Sequence, residues 1–145
     1  MSVRKGDQDQ GRLKVITASS ELLRYTYERV RGNTFPKSEK WMMARSIWDE
    51  VSAAHTQIVR ANKLDTFDKD QMRERIFLQA SAIAHLFAAM NLIDVCNETG
   101  AISDARAEWW TGLVDKVINL AQPWHSKDKH LAEQRFPSDQ PVIPF

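Results

Sequence analysis

The chain is short of reactive groups. It has one cysteine, Cys96, so no intrachain disulfide can form. It has neither a His-Glu-x-x-His motif nor a Glu-x-x-His pair, the two spacings by which helices commonly present metal ligands. No combination of nucleophile, base and oxyanion donors can be assembled from its residues, so no catalytic residue, metal or cofactor is expected. An excess of one charge is also lacking: 20 Lys/Arg face 19 Asp/Glu, a net +1. That argues against a strongly basic nucleic-acid binder while leaving room for a local patch. The first residues, Met1-Ser2-Val3-Arg4-Lys5, lack the apolar core of a signal peptide. The longest apolar region, Ile76 to Cys96, is interrupted by Gln79, His85, Asn91 and Asp94. A membrane span would have to desolvate all four, so this region reads as a buried helix and the protein as cytoplasmic.

What the chain does have is helical periodicity. Its 145 residues, 43% of them hydrophobic, suffice for one domain with a real core. Four stretches carry apolar residues at alternating spacings of three and four. The first runs from about Gln10 to Arg31 with the stripe Leu13, Ile16, Ser20, Leu23, Tyr27, Val30, and stops at Gly32-Asn33. Phe35-Pro36 opens the second, which reaches Asn62 with Trp41, Ala44, Trp48, Val51, His55, Ile58 and Asn62. The third, about Lys69 to Glu98, follows Met72, Ile76, Gln79, Ile83, Leu86, Met90, Ile93, Asn97 and closes at Gly100. Ser103 is a good N-cap for the fourth, which shows Trp110, Leu113, Val117, Leu120, Trp124 and should end or kink at Pro123. The expectation is an all-α, up-down-up-down four-helix bundle over residues 1–125, with a frayed lead-in at 1–10. Residues 126–145, with Pro137, Pro141 and Pro144, should form an extended or partly disordered tail.

The third helix is apolar nearly all the way round, which calls for cover on more than one side. Trp109-Trp110 raises the same issue, because adjacent helical residues point about 100° apart and both cannot enter one core. Surplus apolar residues at Met43, Ile47, Phe87 and Trp109 therefore predict a homo-oligomer interface. His55 and His85 read as hydrogen-bonded or interface histidines, and Cys96 as a buried one. The charge is uneven: residues 1–66 hold 12 Lys/Arg and 8 Asp/Glu, residues 67–145 hold 8 and 11. Arg29, Arg31, Lys37 and Lys40 crowd the first helix–helix joint with only Glu28 and Glu39 opposing. They form the candidate phosphate-contacting patch, a weak one per protomer that a ring of subunits would multiply.

Several local motifs occur in a suggestive order: Leu22-Leu23-Arg24-Tyr25, then Phe35-Pro36-Lys37-Ser38-Glu39-Lys40, then Leu78-Gln79-Ala80-Ser81-Ala82. Glu98-Thr99-Gly100-Ala101-Ile102-Ser103 and Ala121-Gln122-Pro123-Trp124 follow. This order, over about residues 12–125, resembles the four-helix-bundle family of ribosomal-RNA intervening-sequence proteins and of the accessory variability determinant of diversity-generating retroelements. The resemblance implies a ring, typically a pentamer, and a non-enzymatic accessory that binds a reverse transcriptase and RNA to support cDNA synthesis. The alternative reading is an oligomeric helical scaffold that binds only proteins.

Overall fold

The computed structural model describes residues 2–137, with side chains from Lys14 onward except those of Glu39 and Trp41. All regular structure among the described residues is helical. Helix α1 spans Ser2–Arg31 and α2 spans 37–63. Helix α3 spans Lys69–Glu98 and α4 spans Asp104–Arg135. Helix α1 packs on α2 and α4, and α3 packs on the same two helices, so α1 and α3 sit diagonally across the bundle. By length and composition α3 alone among the described residues is apolar enough to cross a membrane, but here it packs between α2 and α4.

The helix ends follow local chemistry. Gly32 donates to the Glu28 carbonyl at 3.1 Å, and a Cβ there would lie 2.8 Å from the same oxygen, so the close of α1 needs glycine. Gly100, at φ +82°, takes the left-handed conformation that ends α3. The side chains of Asp68 and Ser103 accept from the Gln71 and Arg106 amides, capping α3 and α4. Helix α2 begins with one α-turn, Lys37–Glu39, and widens to a π-helical segment at Lys40–Ala44. It then continues as regular α-helix over Arg45–Lys63.

Two ends differ from the sequence-based expectation. Helix α1 starts at Ser2 instead of emerging from a frayed lead-in, since extending an existing helix costs far less than nucleating one. Helix α4 runs through Pro123 to Arg135, so residues 126–135 are helical and not an extended tail. Proline removes the bond to the residue four before it, but Asn119, Gln122 and Pro123 are all exposed, so the released carbonyl can face water. The buried face carries on through Ala121, Trp124, Asp128 and Ala132. Residues 138–145, the rest of the expected tail, lie outside the described residues.

The core is rotated slightly from the stripes read in the sequence. In α1 the buried residues are Val15, Ala18, Ser19, Leu22 and Thr26, while Ile16, Leu23 and Val30 flank the core and Tyr27 is exposed. In α2 the centre runs Ala44, Ile47, Val51, Ala54, Ile58, Ala61, with Trp48, His55 and Asn62 at its rim. Ala82, Ala89 and Cys96 are buried in α3, and Ala107, Val114 and Ala121 in α4. Small side chains at these buried positions leave room for neighbouring helices to approach closely. Trp110 is the largest fully buried side chain among the described residues. Its Nε1 donates to Thr26 Oγ1 at 3.1 Å, and Tyr25 and Phe35 pack against its ring edge-on.

Candidate nucleic-acid interface and assembly surfaces

The turn between α1 and α2 brings Arg29, Arg31, Lys37 and Lys40 to one end of the bundle, but they are not equivalent. Lys40 donates to the Arg31 carbonyl oxygen at 3.3 Å. It thus caps α1, where the helix dipole favours a cation. Arg29 lies 5.1 Å over the Tyr25 ring. Arg31 lies 5.5 Å over the Tyr27 ring and 3.9 Å from the Glu28 carboxylate. Tyr27 first, then Glu28, raise its pKa above the ordinary arginine value, so the guanidinium stays charged throughout. Lys37 is exposed on the first turn of α2. A fifth cation joins them from α4: Arg106 donates to Thr34 Oγ1 at 2.9 Å, tying the start of α4 to the α1–α2 turn. Sequence reading missed Arg106 because its partner is 72 positions away.

Of the four residues expected at an assembly interface, the structure keeps two on the surface. Phe87 is 49% exposed and Trp109 63%. Ile47 is fully buried in its own protomer's core, because the rotation of α2 turns it inward. Met43 packs half-buried against the same core, and it is Met42 that points outward, at 63% exposure. Both methionines lie in the π-helical segment, whose wider turn moves side chains off the α-helical register. Tyr27, Phe67 and Phe77 add exposed aromatic area. Trp109 stands at one end of a groove between α1 and α4, floored by Ala18, Leu113 and Leu120.

His55 and His85 bond across helix pairs. His55 Nδ1 lies 2.9 Å from Ser19 Oγ. That hydroxyl spends its proton on the Ile16 carbonyl, so it accepts from the ring. Burial lowers the His55 pKa. His85 Nδ1 lies 2.7 Å from Glu50 Oε2. Cys96 is fully buried.

At the opposite end sits a polar cluster that periodicity did not reveal. Arg75 is buried and places Nε 2.7 Å from Asp128 Oδ2, which also accepts from Gln79 Nε2 at 2.7 Å. Its Nη1 donates to the Ala61 and Leu64 carbonyls at the end of α2, and the Trp124 ring lies 5.3 Å from its guanidinium carbon. One guanidinium therefore caps α2 and fastens α4 beyond Pro123 to α3. Arg135 assists by donating to both the carbonyl and the hydroxyl of Thr66 at 3.0 Å. Met72, Ile76 and Ala132 form a small apolar cluster beside it.

No protein-family model, no curated protein and no solved structure matches the chain.

Proposed function

We propose that the protein is a non-enzymatic, ring-forming accessory of a diversity-generating retroelement that binds RNA and reverse transcriptase to support cDNA synthesis. The observation that carries the reading is the gathering of Arg29, Arg31, Lys37, Lys40 and Arg106 at one end of a four-helix bundle, on a chain with net charge +1. Cations collected at one end give a binding surface that the overall charge does not suggest. One protomer offers few phosphate contacts, and a ring repeats them, so assembly and RNA binding belong together.

The test is a filter-binding titration of RNA at low and moderate salt with wild type and Lys37→Glu. Wild type should bind at low salt and weaken by orders of magnitude as salt rises if about six or more phosphates are engaged. Lys37→Glu should bind more weakly at each salt. A second reading, a scaffold that binds only proteins, draws support from Lys40 and Arg31 already having partners inside the protomer. Absence of RNA binding at low salt would favour it.

A further inference from the structure

One face of α3 is both uncharged and open to solvent. No Asp, Glu, Lys or Arg occurs from Ile76 to Ile93, yet one side of this stretch points outward. Phe77 is 51% exposed and Phe87 49%, with Ala84 and Asn91 exposed and Ala80 half-buried between them. The row Phe77, Ala80, Ala84, Phe87, Asn91 advances by 3, 4, 3 and 4, so it holds to one side of the helix. It is about 21 Å long at 1.5 Å per residue. An apolar face of that extent marks a contact.

The charges that bound the row point to what covers it. Lys69 and Arg73 extend it toward the helix start, Asp94 and Glu98 toward the helix end. All four are exposed, and none has an ion-pair partner among the described residues. Asp70 and Glu74 stand about 100° further round the helix, off that row. A row that is positive at one end and negative at the other matches itself when reversed. Turned end for end about Ala84, Lys69 meets Glu98 of a second copy and Arg73 meets its Asp94. Phe87 meets the small Ala80, Phe77 meets Asn91, and Ala84 meets its own counterpart. In the parallel direction the same charges would meet like with like at both ends.

We propose that two copies pair through antiparallel α3 helices, across a two-fold axis at Ala84. The contact is isologous, so it closes at two copies. Apolar burial supplies the attraction, and the ion pairs, weak at a surface, fix direction and register. The pairing goes beyond the ring reading and does not rest on it: a ring that contains the pair alternates its copies up and down and holds an even number of them. It also gives a reason for α3 to be apolar on its outer side as well as its inner one.

Cysteine crosslinking tests the register. Ala84→Cys places two thiols at the axis, within the roughly 7 Å between Cα atoms that a disulfide spans. Mild oxidation at micromolar concentration should give a covalent dimer of twice 16.7 kDa on a non-reducing denaturing gel. Wild type should give none, because Cys96 is buried. Asn91→Cys should give little, since its two copies lie about 21 Å apart along the seam. In the Ala84→Cys background, Arg73→Glu should slow the crosslink by about threefold or more at low salt, and adding Asp94→Arg should restore most of the rate. All four positions are exposed, so each variant should melt near wild type. No dimer from Ala84→Cys, an equal one from Asn91→Cys, or no rescue by Asp94→Arg overturns the pairing. The readout is covalent and counts only pairs, so the ring and RNA readings can fail without it, and it without them.

Discussion

The two ends of the bundle use arginine in opposite ways. At the α1–α2 end Arg31 is solvated, touching Glu28 and Tyr27 at distances that hold it only loosely. At the α2–α3 end Arg75 is enclosed, and its guanidinium is committed to Asp128 and two backbone carbonyls. An exposed pair contributes about 0–1 kcal/mol, and its cation stays available to a ligand. A buried pair fixes geometry, and breaking it strands a charge in the interior. The comparison separates the cations that hold the fold from those left for binding.

The most severe way to break it is at Asp128. Asp128→Ala should lower stability by about 3–5 kcal/mol in chemical denaturation, because Arg75 loses its counter-charge inside the protein. Replacing both partners with apolar residues, Arg75→Met with Asp128→Leu, should recover much of that loss. Trp110→Ala should also cost about 3–5 kcal/mol through the cavity it leaves. Trp109→Ala, one position away and exposed, should change protomer stability by less than about 0.5 kcal/mol while weakening self-association. At the other end, Lys37→Glu should leave the melting temperature nearly unchanged, as exposed substitutions shift stability by about 0.5 kcal/mol or less, with its effect confined to RNA affinity.

The smallest effect concerns pH. Burial favours neutral His55, so its folded pKa lies below the unfolded one. The unfolded chain then takes up the proton first. Stability from this site is complete above the ordinary histidine pKa of about 6.5 and declines as pH falls from there toward the folded value. His55→Gln should flatten that part of a stability-against-pH profile. A profile that stays as steep in the variant would place the titration elsewhere.

Where local chemistry decided the outcome, the sequence was readable. Gly32, Gly100, Ser103 and the Phe35-Pro36 joint marked helix ends that the structure has. The inward faces were less legible because alanine carries little hydrophobic signal. Trp48 and His55 drew the α2 stripe toward themselves, although Ala54 and Ala61 lie at the contact. Pro123 is a strong local stop signal, and it is overruled by Asp128, whose partners Arg75 and Gln79 lie 53 and 49 positions away. No local pattern reports such a pairing. Four of the five cations at the α1–α2 end were legible because they fall within twelve positions of chain, and Arg106 was not. The exchange of Met43 for Met42 was hidden in a π-helical segment that periodicity assumes away.

Assembly and RNA binding meet in one measurement: native mass spectrometry of the wild-type protein mixed with RNA at low ionic strength. The account predicts a species of several 16.7 kDa protomers carrying RNA, which loses the RNA as ionic strength is raised while the protein oligomer persists. A spectrum holding only the single RNA-free protomer would contradict it.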